Sequence, residues 1–208
     1  MGHSMGAGEV LTLAGDAQHA ELVGRVRGWI LEGPLIGLGE EPSSLKVLAG
    51  RLAGRLLPRH QIRHVVPPEH LSRDPAVVES VRNDPLCHNT GTLEGMASLL
   101  DRTAMLSTGR VRLGEQVRSV LLAHGTQDKA CSYDAAMKFL ERQHAVGDRT
   151  AKPYEGAYHQ LHADLCKDEF AGDLVDWILQ RCEGGGTSDG SEVPPSPPPP
   201  PPPPEAKL

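Results

Sequence analysis

The pentapeptide Gly2-His3-Ser4-Met5-Gly6 offers the first chemistry in the chain. It reads G-x-S-x-G, a nucleophile elbow, in which a serine rides a sharp strand-to-helix turn with its hydroxyl clear of the backbone. Glycine two residues before and after the serine lets strand and helix approach where a Cβ would clash. A serine hydroxyl attacks a carbonyl only when a base takes its proton and a carboxylate holds that base. One set of residues supplies these partners in the chain order Ser, Asp, His. Ser4 is the candidate nucleophile, Asp128 in Gly125-Thr126-Gln127-Asp128 the candidate orienter, and His159 in Glu155-Gly156-Ala157-Tyr158-His159 the candidate base. The backbone N–H of Met5 is a candidate oxyanion donor, being the first after the nucleophile.

Each residue has a plainer reading. G-x-S-x-G arises by chance, an aspartate in Asp128's place serves many turns, and His159 with His162 spells H-x-x-H, a fragment of a metal site. No carboxylate set near that fragment supports a metal. Acyl transfer by a triad needs neither metal nor organic cofactor, so none is expected.

The elements that must position these residues alternate in type. Residues 4 to about 18 read as a helix leaving the elbow. Gly28-Trp29-Ile30-Leu31-Glu32-Gly33-Pro34 reads as a short buried strand, Val120-Leu121-Leu122-Ala123 as a second, and Thr150 to Tyr154 as a weak third. Residues 132–144 read as a helix, and a last amphipathic helix carries Phe170, Leu174, Trp177 and Ile178 on one stripe. Strand and helix in alternation predict a parallel sheet with helices on both faces. Asp128 then follows one strand and His159 the next, where such folds place their sites.

From Pro34 to about Arg110 the pattern turns helical, and no strand interrupts it. Leu45, Leu48, Ala49, Leu52, Ala53 and Leu56 form one apolar stripe, with Ser43 or Ser44 as cap and Pro58 as stop. Further helices are expected over Pro75 to Arg82 and Thr92 to about Leu106. This stretch explains why Ser4 and Asp128 lie further apart than one strand-helix repeat. Lys46, Arg51 and Arg55 lie off the stripe and read as a solvated face, with attraction to anionic lipid as the alternative.

The composition sets outer limits. The 208 residues carry a net charge of −6, which gives no footprint for nucleic acid. There is no apolar run near the roughly 20 residues a transmembrane helix needs, and no secretory signal is visible. Cys87, Cys131, Cys166 and Cys182 lack metal-ligand spacing and read as reduced thiols of a cytoplasmic protein. With two Trp, three Tyr and two Phe, the core must rest on Leu, Val, Ala and Ile. After Glu183 come Gly184-Gly185-Gly186 and a proline run from Pro194 to Pro204, predicted to be a disordered or polyproline II tail. An inert tail is the plain reading, and a ligand for an SH3, WW or profilin-like module the alternative.

Four strings sharpen the picture: His3-Ser4-Met5-Gly6, Asn83-Asp84-Pro85-Leu86, Gly125-Thr126-Gln127-Asp128 and Tyr154-Glu155-Gly156-Ala157-Tyr158-His159-Gln160-Leu161-His162. Together they resemble monoacylglycerol lipase and its lysophospholipase-like relatives, α/β-hydrolases with a domain of the serine aminopeptidase S33 type. The resemblance covers residues 2–182. It implies the C-terminal part of an α/β-hydrolase fold with a helical cap insertion, the sequence starting at the elbow without the family's first strands or its H-G-x-x-like oxyanion loop. The implied divisions are residues 1–33 and 111–183 as core, 34–110 as cap and 184–208 as tail. The resemblance further implies that Ser4, Asp128 and His159 are the triad and that His162 lies near the glycerol end of the pocket. It sets Cys131 close to the acidic loop. Val81 stands where relatives often carry tyrosine. In the family the cap turns an apolar face toward membranes, which implies peripheral contact with a membrane or lipid droplet. The expected activity is hydrolysis of a lipid carboxylic ester, foremost monoacylglycerol, with weak turnover or none expected of the 208 residues alone, which lack the family's first strands and that oxyanion loop. Lysophospholipase or other carboxylesterase activity, and a non-catalytic interaction protein using the proline tail, are the alternatives.

Overall fold

The structure, a computed structural model, describes residues 1–39, 44–63 and 65–182. The chain enters through a two-residue strand, β1 (Gly2–His3), and turns at once into α1 (Ser4–Ala14). A short α2 (Ala20–Gly24) leads to β2 (Trp29–Glu32). Then come α3 (Ser44–Leu56), β3 (Gln61–Arg63), α4 (Pro75–Asn83), β4 (Thr90–Thr92) and α5 (Leu93–Ser107). The path closes with β5 (Ser119–Gly125), α6 (Tyr133–Glu141), β6 (Asp148–Tyr154) and α7 (Lys167–Cys182).

The main sheet has the order β1-β2-β5-β6, with every neighbouring pair parallel. β2 and β5 are buried along their whole length, as expected of strands covered on both faces. β6 alternates between exposed and half-buried and carries Pro153, which lacks an N–H, a pattern suited to a strand paired on one side only. On one face Leu11 of α1, Leu31, Leu106 of α5, Val120, Leu122 and Phe139 of α6 form the larger core. On the other, Ile30 and Leu121 meet Trp177 of α7, and Tyr154 and Leu161 meet Phe170. This is the α/β fold expected of alternating strand and helix signals.

Local chemistry explains several boundaries. The Asp74 side chain accepts the N–H of Ala76 at 2.9 Å, and Pro75 begins α4 where a missing N–H costs nothing. Thr92 caps α5 by accepting the N–H of Gly95 at 3.1 Å, and Ser132 caps α6 through the N–H of Ala135 at 3.2 Å. Helix α1 stops at Ala14, short of the expected residue 18. The C-cap is Gly15, where a Cβ would stand 2.7 Å from Val111 Cγ1, so the close approach of Val111 requires glycine there.

The region after Pro34 departs from expectation in two ways. It is not free of strands, because β3 and β4 pair antiparallel, Ile62 opposite Gly91. Only Ile62 among their residues is a large apolar one, so no alternation marks them in the sequence. In α3 the apolar stripe is turned outward, with Leu48, Leu52 and Leu56 at 64%, 57% and 71% exposure. The packed side of α3 instead carries Gly54. A Cβ on Gly54 would lie 2.9 Å from the Leu93 carbonyl oxygen and 3.1 Å from Ala97 Cβ, so α3 and α5 touch backbone to backbone. Arg51, expected on a solvated face, reaches Asp101 of α5 at 2.6 Å. Arg55 is exposed, and the Lys46 side chain lies outside what the structure describes. Ile178, expected on the buried stripe of α7, is 41% exposed. The capping choice of Ser43, the proline tail and any module it would bind all lie outside the described residues. Among the described residues, no helix is long and apolar enough to cross a membrane, and all four cysteines are free thiols.

Candidate active site

The site is built at the carboxyl ends of the four parallel strands. Ser4 follows β1 directly and opens α1 with a φ of 53°, a left-handed conformation that no other non-glycine residue described adopts. A positive φ on a residue with a Cβ is strained and marks a turn held in place by its surroundings. The close approach expected of the first glycine is present, since a Cβ on Gly2 would meet Ala7 Cα at 2.7 Å. The expectation fails for the second. Nothing lies within 4 Å of a Cβ placed on Gly6, which faces open space on the first turn of α1.

Asp128 and His159 meet behind this turn. Nδ1 of His159 lies 2.8 Å from Oδ2 of Asp128, and both side chains are almost wholly buried. The other carboxylate oxygen accepts the N–H groups of Ala130 and Cys131 at 2.8 and 2.9 Å. Burial alone would raise the Asp128 pKa. The hydrogen bond and charge of His159, with the Cys131 N–H, hold it below the ordinary carboxylate range instead. Asp128 is therefore ionised and anchored, and it fixes which His159 nitrogen faces away. Beneath the pair runs Gly33 at φ +48°. A Cβ there would stand 3.1 Å from the His159 carbonyl oxygen, 3.2 Å from its Nδ1 and 3.4 Å from Asp128 Oδ2.

The histidine rings link this pair to the elbow. The ring of His3, next to Ser4, lies 4.7 Å centre to centre from that of His159. Burial lowers the His3 pKa, so the ring is neutral near pH 7. The Ser4 carbonyl accepts the N–H of Leu35 at 3.0 Å, tying the elbow to the segment after β2. Met5 sits in the first turn of α1, where backbone N–H groups have no partner within the helix. Cys131 is buried beside Asp128, whose carboxylate accepts its backbone N–H at 2.9 Å. Burial and the Asp128 charge push its thiol pKa far up, so it is not a competing thiolate. His124 is fully buried, with Nδ1 3.8 Å from Asp128 Oδ2, and burial keeps it neutral.

His162 stands apart from His159 and binds Glu32. Oε1 of Glu32 lies 2.7 Å from the His162 ring Nδ1 and accepts its backbone N–H at 3.1 Å. That hydrogen bond raises the pKa of the half-exposed imidazole. Sequence reasoning gave Glu32 no role. Its signal was a carboxylate closing the apolar run Trp29-Ile30-Leu31, a position where a charge needs a partner. Asp164 was also missed. It is fully buried and holds Arg73 by Nε at 2.7 Å and Nη2 at 2.6 Å. The fragment His159-x-x-His162 does not converge on one metal: the two imidazoles belong to separate groups, His3 with Glu32 and His162, and Asp128 with Cys131 and His159.

A family model described as serine aminopeptidase, S33, matches residues 1–165. The chain is 35% identical over 185 residues to a monoglyceride lipase of Rattus norvegicus, covering 87% of this chain and 58% of that protein. It is 28% identical over 184 residues to a putative monoglyceride lipase of Schizosaccharomyces pombe, covering 86% and 47%. The chain thus spans about half the length of these curated relatives. Among solved structures, a monoacylglycerol lipase of Paleococcus ferrophilus superimposes with a TM-score of 0.73 at 25% identity, over 86% of this chain and 67% of that one.

Proposed function

From the premise that the chain belongs to the serine aminopeptidase S33 family of α/β-hydrolases, we propose that it hydrolyses carboxylic esters of lipids, with monoacylglycerol as the preferred substrate. The observation that carries this reading is the strained Ser4 turn standing beside the buried His159–Asp128 pair. His159 takes the Ser4 proton as Oγ attacks the acyl carbonyl. The oxyanion is received by the Met5 N–H. Collapse breaks the ester bond, and His159 gives its proton to the leaving alcohol. Water, deprotonated by His159, then attacks the acyl-enzyme, and His159 returns that proton to Ser4 Oγ as the fatty acid leaves. Asp128 holds His159 and steadies the imidazolium formed in each half.

His162, tethered to Glu32 beside the triad, is assigned to the glycerol end of the substrate. Residues 34–110 act as the cap between core segments 1–33 and 111–183. Outward Leu48, Leu52 and Leu56 support peripheral contact with a membrane or lipid droplet from the cytoplasm. The chain's likeness to monoglyceride lipases favours monoacylglycerol over lysophospholipids or simpler esters.

The test uses the 208-residue chain with a monoacylglycerol, a lysophospholipid and a p-nitrophenyl ester, and a fluorophosphonate probe for Ser4. Probe labelling and monoacylglycerol turnover, both lost in Ser4→Ala, are expected. Turnover that survives Ser4→Ala, or a wild-type chain that neither labels nor turns over, overturns the reading.

A further inference from the structure

Three side chains with metal-ligating atoms converge from three separate elements. His3 ends β1 and Glu32 ends β2, and the two are directly paired in the parallel register. Both therefore lie at the carboxyl edge of the sheet and point to one face. His162 comes from the single helical turn Leu161–Ala163 that follows β6. Its ring stands edge-on to that of His3, with centres 5.2 Å apart. One ligand atom from each residue lies within 4.8 Å of the other two. Nε2 of His3 is shielded from solvent and has no hydrogen-bond partner among the described residues. Buried polar atoms without a partner are rare and ask for one.

We propose that His3, Glu32 and His162 form a Zn²⁺ site beside the triad, and that the bound ion arrests acyl transfer. Two imidazoles and one carboxylate are a familiar three-ligand set for zinc, leaving a fourth position for water. With metal–ligand distances of about 2.0–2.2 Å, ligand atoms around a tetrahedral ion stand about 3.4 Å apart. The 2.7 Å contact between His162 Nδ1 and Glu32 Oε1 must therefore open by several tenths of an ångström, and His3 must swing inward. The first movement is open to His162, whose side chain is 49% exposed. The neighbouring group of Asp128, Cys131 and His159 is a poor rival. Asp128 already accepts two N–H groups and His159, and Cys131 is a buried thiol that resists ionisation.

Arrest follows from charge. Zinc on a single carboxylate leaves a net positive charge next to the His3 ring, which stands 4.7 Å from that of His159. Proton transfer from Ser4 would have to create a second cation there. The ion also takes His162 out of contact with substrate. This inhibitory arm rests on the hydrolase reading above; metal binding itself does not.

The chelator-treated full chain is titrated with Zn²⁺ by calorimetry and with Co²⁺ by visible absorption. One ion per chain is expected, with the d–d bands of a low-coordinate cobalt site and no thiolate charge-transfer band. Glu32→Gln and His162→Ala should each weaken binding at least tenfold, whereas Cys131→Ser should leave it intact. His162 is half-exposed, so His162→Ala keeps the test decisive where Glu32→Gln fails to fold. Fluorophosphonate labelling of Ser4 should slow at least tenfold with zinc and recover with chelator. A thiolate band, or binding indifferent to both Glu32→Gln and His162→Ala, overturns the site. Saturable zinc binding with undiminished labelling overturns the arrest. A metal-free chain that never labels counts against the hydrolase reading, and calorimetry still decides the site.

Discussion

Asp164 and Arg73, far apart in the sequence, are joined through both side chain and backbone. Nε and Nη2 of Arg73 lie 2.7 and 2.6 Å from Oδ1 of Asp164, and the Arg73 N–H reaches Oδ2 at 3.0 Å. Oδ2 also accepts the N–H of Tyr158 at 3.3 Å, one residue before His159. The segment leading into α4 and the loop bearing the candidate base thus share one buried carboxylate. Arg73→Ala leaves that charge without its cation. A loss of about 3 kcal/mol is expected, the lower end of the range for a broken buried pair because Arg73 is partly exposed. Urea unfolding measures it.

The same carboxylate sets an acid limit. Burial would raise the Asp164 pKa, but Arg73 and the backbone N–H groups lower it. A depressed native pKa contributes stability above the unfolded value, near pH 4 for aspartate, and that stability fades as pH falls through the native value. Asp128 contributes with the same sign. Melting temperature should fall steeply below about pH 4. Asp164→Asn should lower it at neutral pH and flatten the acid limb.

If Ser4, His159 and Asp128 act as one unit, their losses will not add. Ser4→Ala and His159→Ala should each abolish turnover above background, and the double variant should cost little more than either. Asp128→Asn should lower kcat by about 10³–10⁴ while sparing KM, since the role proposed for Asp128 is with His159 and not substrate. Initial rates on a p-nitrophenyl ester read all four variants.

Two glycine-to-alanine substitutions should part in sign. Gly33→Ala places a Cβ at a positive φ and within 3.4 Å of His159 and Asp128, so it should destabilise by at least about 1 kcal/mol and depress kcat. Gly6→Ala meets open space inside α1 and should stabilise by about 0.5–1 kcal/mol. Thermal unfolding of the two single variants compares them directly.

The outward leucines of α3 should matter to lipid and little to folding. Replacing Leu48, Leu52 and Leu56 with serine should move the melting temperature by no more than a few degrees. Flotation with neutral phospholipid vesicles should fall severalfold if the helix docks there. Unchanged flotation removes the membrane contact from the proposal.

Much of this molecule was legible from residue type and spacing. The buried runs Trp29–Glu32 and Ser119–Gly125 became paired parallel strands, because apolar stretches flanked by glycine bury best between neighbours. The helices expected over Pro75 to Arg82, from Thr92 to about Leu106 and over 132–144 formed as α4, α5 and α6, and the structure shows Asp74, Thr92 and Ser132 capping them by bonds within a few residues. Ser4, Asp128 and His159 were identifiable as candidates because the elbow and the two loops are local patterns in a readable order. Tertiary structure alone decided what joins distant segments. The β3–β4 pairing, the outward turn of the α3 leucines, the hold of Asp164 on Arg73 and the convergence of His3, Glu32 and His162 all depend on which surfaces meet. A periodic stripe in sequence tells that a helix has two faces. Whether leucines or glycines meet the next helix is settled by how closely the backbones pack, and Gly54 against Leu93 settles it here.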